Sequence, residues 1–266
     1  MKLSKTKLNT ILACPSCKSA IGLPEVGKHV VCETCGDVYE PLAYSWNMIP
    51  SQHRQMSSTL WNTWKKLENN QKVAYHMDPE HNLSIGKRKD VKDFATFCKF
   101  KGLVLDVGCG PQPWPAYFGY PSTEVYFIGV DPLAGNVDAD YIKFRAFGEY
   151  LPFQEKTFDH IVFATSLDHM VDPLVPLTEA KRVCKMGGQV NIWIHEKKRK
   201  APRIEHSPEW YERLEHPTHA VDAFRFARIT FNELKSLLQR VEMKLNDWRE
   251  VKVDEYQTTF FVRAIN

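Results

Sequence analysis

Val104-Leu-Asp-Val-Gly-Cys-Gly-Pro-Gln-Pro113 is the segment that most clearly indicates the fold. An apolar run containing one acid, Asp106, breaks into a turn that carries Gly108 and Gly110. This pattern is typical of a buried strand that feeds a tight loop, where a ligand can approach bare backbone. The segment therefore predicts a parallel strand of an α/β sheet with a ligand site at its carboxyl end.

A second apolar run, from Val125 to Val130, ends in Asp131. An acid about 20 residues after a glycine-rich strand and turn suits the two hydroxyl groups of a ribose. The two segments together therefore predict a ligand that contains a nucleoside.

The glycine pattern separates the classes of nucleoside cofactor. Dinucleotide folds use Gly-x-Gly-x-x-Gly, with a helix N-terminus facing a pyrophosphate, and this loop lacks the third glycine. A P-loop is excluded because no Lys-Ser or Lys-Thr follows. Asp106 would repel a phosphate and instead suits a cationic ligand with a free amino group. A cofactor-free domain that keeps the glycines only for turn geometry is the alternative.

This segment closely resembles class I S-adenosylmethionine-dependent methyltransferases. Four further segments resemble that family in the same order, over roughly residues 100–195: Ile128 to Leu133, Phe147 to Phe153, Phe158 to Pro173 and Glu179 to Val190. The resemblance implies a cofactor site formed by Asp106, Gly108, Gly110, Gln112, Asp131, Pro132, Leu133, Gly148, Glu149 and Thr165. Gln112 stands where many members have a third glycine. Phe147 replaces a common adenine-binding Asp, and stacking on adenine is the expected substitute.

The family resemblance implies an α/β, Rossmann-like seven-stranded sheet that ends in an antiparallel hairpin. Apolar runs predict strands near 102–107, 125–130, 141–146, 157–164 and 187–194, and alternation predicts the hairpin over 241–251 and 256–264. Thr230 and Glu233 predict a capping box at the start of a helix. The predicted domains are a ribbon over 1–50, a helical linker or lid over 51–100, and a methyltransferase domain over 101–266 with a substrate-cap insert at about 196–228.

Two cysteine pairs, Cys14-Pro-Ser-Cys17 and Cys32-Glu-Thr-Cys35, have the spacing of metal-binding knuckles. Each knuckle supplies two thiolates from one turn, as a tetrahedral zinc ion requires. The sequence therefore predicts a zinc ribbon with Cys14, Cys17, Cys32 and Cys35 as ligands. A redox role for two thioredoxin-like pairs would need a surrounding fold that this segment lacks.

Residues 11–50 resemble the small zinc-ribbon activator of tRNA and protein methyltransferases. A zinc finger before a methyltransferase core also resembles some rRNA guanine methyltransferases. A ribbon can read RNA, hold a partner or brace the catalytic domain. Few Lys or Arg residues lie between Cys14 and Pro50, which favours bracing or partner contact over RNA contact.

Composition limits the remaining classes. The chain has 266 residues, a formal net charge of +3 and 43% hydrophobic residues, so extensive nucleic-acid binding is not indicated. No apolar run approaches the roughly 20 residues of a membrane span, and the apolar stretch after the basic N-terminus is too short for a signal peptide and runs into Cys14. Seven cysteines, four of them in metal spacing, also fit a cytoplasmic protein.

Candidate catalytic residues follow two predicted strands. Asp168 and His169 follow the fourth, and His195 follows the fifth. A histidine is a natural general base, which a carboxylate can orient. Packing beside the cofactor is the alternative for both histidines. In the cap, His216, His219 and Asp222 have a spacing that could bind a metal on a helix. The pattern favours the alternative that these histidines are solvated or packed.

The preferred function is methyl transfer from S-adenosylmethionine to an oxygen or nitrogen of a small molecule or of a glycan or natural-product precursor. The cap combines a basic run from Lys197 with aromatic residues and His206, which suit a sugar, a nucleotide-linked sugar or an RNA base. An RNA base methyltransferase and a non-catalytic zinc-ribbon scaffold are the alternatives. No Asn-Pro-Pro-Tyr-like string follows the fourth strand, unlike in the amino-methylating nucleic-acid enzymes. The oligomeric state stays open.

Overall fold

The computed structural model describes residues 3–25, 27–54, 59–79, 88–119, 124–197 and 209–266, without the side chains of Arg54 and Leu60. Its helices are α1 (Lys5–Asn9), α2 (Ser51–Arg54), α3 (Thr59–Met77), α4 (Lys89–Cys98), α5 (Leu174–Val183), α6 (Glu209–Glu212) and α7 (Phe231–Arg240). Its strands are β1 (Val30–Val31), β2 (Val38–Pro41), β3 (Trp46–Asn47), β4 (Gly102–Val107), β5 (Val125–Val130), β6 (Ile142–Phe144), β7 (Phe158–Ala164), β8 (Cys184–Lys197), β9 (Lys244–Lys252) and β10 (Gln257–Ile265).

Seven strands form one sheet in the order β6-β5-β4-β7-β8-β10-β9. Neighbours from β6 to β8 pair in parallel, whereas β10 is antiparallel to both β8 and β9. The predicted fold class, a Rossmann-like sheet that ends in an antiparallel hairpin, is therefore confirmed. The order places the carboxyl ends of β4 and β5 side by side, which brings the glycine loop next to Asp131.

Strands β6 and β8 differ most in length from the sequence prediction, and β9 begins at Lys244 rather than at 241 because Val241 caps the preceding helix. Strand β6 covers only 142–144 rather than 141–146, because its ladder with β5 is limited to Ile142–Phe144. Strand β8 runs over 184–197 rather than 187–194, because β7 pairs with it at Cys184 and β10 pairs with it as far as Lys197. The predicted capping box is present, with the Thr230 side chain accepting from the backbone N–H of Glu233.

The ribbon and the large sheet share a hydrophobic core. Leu12, Tyr39 and Met48 of the ribbon belong to the same buried cluster as Phe144 and Phe153 of the α/β domain. The opposite face of the sheet packs against α4, whose Phe94 lies 5.2 Å from Trp193 and 5.3 Å from Phe261 between ring centroids. Folding of the ribbon is therefore coupled to the α/β domain through common apolar burial.

Backbone hydrogen bonds attach the ribbon to the outer edge of the sheet. Just beyond β6, the carbonyl of Arg145 accepts from the N–H of Met48 at 2.8 Å, and the Arg145 N–H donates to the carbonyl of Trp46 at 3.2 Å. The hydroxyl of Ser45 donates to the carbonyl of Lys143. A side-chain ion pair, Lys18 to Glu179 at 2.7 Å, adds a second attachment. The β2–β3 hairpin thus covers a strand edge that would otherwise face solvent.

Helix α3 is attached to the cap by side-chain hydrogen bonds. The Asn70 side chain donates to the carbonyls of Glu215 and Ala223 at 2.8 and 2.7 Å, and the Thr63 hydroxyl donates to the carbonyl of Thr218 at 2.8 Å. The predicted basic run beyond Lys197 and His206 lie outside the described residues. None of the described helices combines the length and the hydropathy that a membrane-spanning helix needs.

Candidate functional site

The four cysteines of the knuckles converge. Their sulfur atoms all lie within 4.8 Å of one another, and the Cys14–Cys35 and Cys17–Cys32 sulfur pairs are each 3.6 Å apart. A tetrahedral zinc ion with sulfur at about 2.3 Å needs sulfur atoms about 3.8 Å apart. The donor set therefore fits one such ion.

The backbone of each knuckle explains why the cysteines converge. The N–H of Lys18 donates to the carbonyl of Cys14, and the N–H of Gly36 donates to the carbonyl of Cys32, both at 2.8 Å. Lys18 and Gly36 have φ of 64° and 75°, the left-handed conformation that closes such turns. Among the described residues, no other His, Cys or acid group has metal-binding geometry. Asp222, the carboxylate of the alternative metal site with His216 and His219, pairs with Arg225 at 3.2 Å.

The loop after β4 requires both of its glycines. Gly108 and Gly110 have φ of 84° and 66°, which L side chains rarely adopt. A Cβ on Gly108 would lie 2.3 Å from the Cβ of Ser166, and one on Gly110 would lie 2.3 Å from Gln112 Oε1 and 2.9 Å from the Tyr75 hydroxyl. The loop backbone is therefore packed closely beneath Ser166, Gln112 and Tyr75.

Asp106 is fully buried at the end of β4. One carboxyl oxygen accepts a hydrogen bond from the Tyr117 hydroxyl at 2.7 Å, while Oδ1 has no partner in the described part of the chain. Gln112 Oε1 is likewise buried without a donor. Unpartnered buried acceptors are costly, and these two fit the ammonium and hydroxyl groups of a nucleoside cofactor that carries an amino acid. Burial raises the pKa of Asp106 to about 7.

Asp131 lies on the opposite side of the glycine loop. Its two carboxyl oxygens accept from the backbone N–H groups of Gly110 at 2.9 Å and Leu133 at 2.7 Å. Burial raises its pKa, although these N–H groups and the Lys143 ammonium act in the opposite direction. Pro132 and Leu133 form the turn that follows. A carboxylate held in this way keeps lone pairs for the two hydroxyls of a ribose.

The segment beyond β6 contains Phe147, which is predicted to stack on adenine. Phe147 packs edge-on against Trp64 and Trp61, with centroid distances of 4.7 and 6.4 Å. A Cβ on Gly148 would lie 2.9 Å from Met170 Sδ and from Val107 Cγ1. These contacts give Phe147 an aromatic setting, so stacking on adenine stays a prediction.

Glu149 is bonded to the neighbouring loop. One of its carboxyl oxygens accepts from the N–H of Val171 at 3.3 Å, and burial raises its pKa. Thr165, at the end of β7, has φ of 57°, which is strained for a β-branched residue. Such strain is concentrated at functional sites, which supports the prediction that this turn belongs to one.

The structure brings Asp168 and His169 together with an arginine. Asp168 Oδ2 accepts from Arg225 Nε at 2.7 Å, and its Oδ1 lies 3.5 Å from His169 Nε2 without a hydrogen-bond partner among the described atoms. His169 Nδ1 lies 2.8 Å from the carbonyl of Phe224 and 2.9 Å from Gln71 Nε2. Burial lowers the pKa of His169, so its imidazole is neutral near pH 7.

His195 lies on the adjacent strand β8. Its Nδ1 is 2.8 Å from the Thr259 hydroxyl, and burial lowers its pKa to about 4. The charges of Arg225 and Asp168 also act on this pKa. The ring is therefore a weak base, and a positioning or packing role suits it better than proton abstraction.

Three residues of the site were not among the sequence predictions. Lys143 lies on β6 between Ile142 and Phe144, and its Nζ donates to the carbonyls of Gly110 and Gln112 at 2.5 and 3.0 Å. Tyr75 places its hydroxyl over Gly110, and Arg225 holds Asp168. A lysine inside an apolar strand run was the available signal for Lys143, since such a residue is rarely buried without a partner.

A family model and a relative from Schizosaccharomyces pombe are similar to part of this chain. A family model described as "Methyltransferase domain" matches residues 105–192. A Schizosaccharomyces pombe protein, described as an uncharacterized methyltransferase, is 35% identical over 111 residues, which are 35% of this chain and 40% of the relative. The chain thus spans about two fifths of that relative's length.

Two solved structures show the same fold at low sequence identity. A Burkholderia thailandensis 1,6-didemethyltoxoflavin-N1-methyltransferase, solved with 1,6-didemethyltoxoflavin and S-adenosylhomocysteine, matches 88% of this chain and 97% of its own with a TM-score of 0.57 at 13% identity. A chain of the complex that contains the Haloferax volcanii Trm112 methyltransferase activator matches 72% of this chain and 96% of its own, with a TM-score of 0.53 at 17% identity. Residues 105–192 therefore match a methyltransferase domain, in agreement with the enzyme class predicted from the sequence.

Proposed function

We propose that this chain is an S-adenosylmethionine-dependent methyltransferase. One observation carries the proposal: Asp106 and Asp131 lie at the carboxyl ends of neighbouring parallel strands, on either side of the glycine loop. Asp106 is suited to an ammonium group because its Oδ1 is buried without a donor, and Asp131 is suited to the ribose hydroxyls. The bound cofactor would supply the methyl group.

The acceptor side offers a carboxylate for the proton of an O–H or N–H group. Asp168 has one oxygen fixed by Arg225, while the other is buried beside His169. The O–H or N–H group of the methyl acceptor would donate a hydrogen bond to that second oxygen. This bond would hold the attacking atom in line with the methyl group. We therefore assign proton acceptance and orientation to Asp168. His169 is expected to shape this pocket with Gln71 and Phe224.

Replacing Asp168 by Asn tests this assignment. Asn keeps the shape and one acceptor oxygen but cannot take up a proton, so the turnover number is expected to fall by about 100-fold. The affinity for S-adenosylhomocysteine should change by less than about threefold, because Asp168 is assigned to the acceptor. Steady-state kinetics and calorimetry give the two values, with Asp172→Asn on the same loop as control. Unchanged turnover would remove Asp168 from the reaction.

The acceptor is proposed to be a small molecule or a glycan or natural-product precursor, methylated on oxygen or nitrogen. The position of the ribbon supports this over an RNA base. In the described part of the chain, the ribbon bonds to the β6 edge, to residues 152–154 and to Glu179. A brace at the sheet edge explains the ribbon without RNA contact.

Binding experiments separate the three candidate functions. Calorimetry with S-adenosylmethionine and S-adenosylhomocysteine should show one site per chain, and absence of binding would favour the non-catalytic scaffold. Binding of a structured RNA should be weak. Tight RNA binding that weakens steeply as salt rises would instead favour the RNA methyltransferase.

The pKa of Asp106, about 7, predicts opposite effects of pH on cofactor affinity and on stability. Affinity for the cationic cofactor should rise as pH rises through about 7, because Asp106 must be ionised to bind an ammonium group. The ligand-free protein should lose stability as the pH rises from about 4 to about 7. In this range the folded carboxyl still holds its proton, while the carboxyl of the unfolded chain, with a pKa of about 3.9, has lost it. Calorimetry and thermal unfolding across this range measure both effects. An Asp106→Asn variant should lose both trends, and affinity that is flat in the unmodified protein would contradict the assignment.

A further inference from the structure

Lys143 is a buried cation beneath the glycine loop. It is 6% exposed, and its ammonium donates to the carbonyls of Gly110 and Gln112. On β6 it is opposite Gly129 of β5, and the absence of a side chain at Gly129 leaves room for Cys109 and Tyr141. A lysine held in this way connects the outermost parallel strand to a loop that begins two strands away.

The Lys143 ammonium also acts on the two acids of the site. Its positive charge lowers the pKa of both Asp106 and Asp131, against the burial that raises them. The charge of Asp131 also raises the pKa of Asp106. Two carboxylates in one dry site cannot both ionise without a countercharge.

The other titratable groups that face these acids are neutral near pH 7. Burial raises the pKa of the Cys109 thiol to about 12 and raises those of the surrounding phenols, while it lowers that of the His169 imidazole. The phenols are those of Tyr75, Tyr117 and Tyr141. Among the described residues, Lys143 is therefore the positively charged group that acts on both carboxyls. Its Nζ also lies 5.5 Å from the centre of the Tyr141 ring.

We propose that Lys143 is a positioning residue of the cofactor site: its ammonium fixes the loop through two carbonyls and is the countercharge that lets Asp106 and Asp131 be ionised together. The inference rests on the proposed function, because it takes both acids as cofactor ligands. It assigns to Lys143 on β6, a strand outside the glycine-loop motif, a role in setting the charge of Asp106 and Asp131.

Three substitutions separate the charge of Lys143 from its hydrogen bonds. Lys143→Met removes both, Lys143→Gln keeps an amide donor without charge, and Lys143→Arg keeps charge and donors. Binding of S-adenosylhomocysteine is measured by calorimetry from about pH 6 to about 8.5, a range that spans the titration of Asp106. Lys185→Met is the matched control, since Lys185 pairs with Asp159 at 2.7 Å at the opposite, amino-terminal end of β7.

The Lys143→Met and Lys143→Gln variants are expected to shift the midpoint of the affinity–pH curve upward by about one pH unit. Below the midpoint, this shift is an affinity loss of about tenfold. Binding should then release a proton in this range, visible as a heat that depends on the buffer. Arg should keep the original midpoint and bind within about threefold of the unmodified protein, as should the Lys185→Met control.

Other outcomes would overturn the proposal. A loss of affinity that is equal at every pH and is restored by Gln would mean that Lys143 acts only through hydrogen bonds. Unchanged binding in folded Lys143→Met, checked by near-ultraviolet circular dichroism, would remove any role. If the Met variant does not fold, the comparison between Gln and Arg gives the same decision. Absence of binding in the unmodified protein would refute the proposed function itself.

Discussion

Replacement of Cys14 by Ser is expected to abolish metal binding and to lower the free energy of unfolding by about 5 kcal/mol or more. Cys14 is fully buried, and its sulfur lies 3.6 Å from that of Cys35. A domain as small as the ribbon has little core of its own, so a structural zinc ion would supply much of its folding free energy. Because Leu12 and Met48 belong to the common core, the loss should reach the α/β domain.

Metal analysis and thermal unfolding measure the two parts of this prediction. The unmodified protein should contain one zinc ion per chain, and Cys14→Ser should contain none and unfold at a lower temperature. Cys98→Ala is the matched control, because Cys98 is an equally buried thiol outside the cluster. It should keep the metal and cost about 1 kcal/mol. Metal-free protein that is as stable as the loaded form would contradict the zinc assignment.

Asp131→Ala is expected to weaken S-adenosylhomocysteine binding by about 100-fold, or about 3 kcal/mol. The substitution removes the proposed ribose contact and also leaves the N–H groups of Gly110 and Leu133 without their acceptor. Asp131→Asn keeps a carbonyl for one of these groups, so it should weaken binding less, by about tenfold. This order of effects is specific to a carboxylate that serves both the ligand and the loop.

Calorimetry on the folded variants gives these affinities. Asp247→Ala is the control, since Asp247 is half exposed on the outer strand β9 and pairs with Arg263 at 3.3 Å. It should leave the affinity unchanged. If Asp131→Ala binds as tightly as the unmodified protein, the ribose does not contact Asp131 and the assignment of the cofactor site is wrong.

The features that sequence predicted well depend on residues close together along the chain. The cysteine knuckles, the glycine loop and the Thr230–Glu233 capping box are each determined within a few residues, and all three appear in the structure. Strand boundaries were less exact where partners are distant. Strand β8 is extended by β10, and β6 is shortened at the sheet edge.

The missed parts of the site depend on packing between distant segments. Arg225 reaches Asp168 because the cap folds back over the end of β7, and the backbone N–H groups of Phe226 and Ala227 also donate to the Asp168 carbonyl. Tyr75 reaches Gly110 because α3 crosses the loop. Lys143 reaches the same loop through the order of the strands. None of these contacts leaves a periodic pattern in the sequence.

The attachment of the ribbon to β6 also bears on how the sheet avoids pairing with other chains. Strand edges carry free N–H and C=O groups that can recruit another molecule. The edge at β9 is exposed and carries charged side chains over much of Lys244–Lys252, which discourages such pairing. The edge at β6 is instead occupied by the ribbon's own hairpin. The ribbon hairpin therefore acts as a cover for this edge and keeps the β6 backbone from pairing with a strand of another molecule.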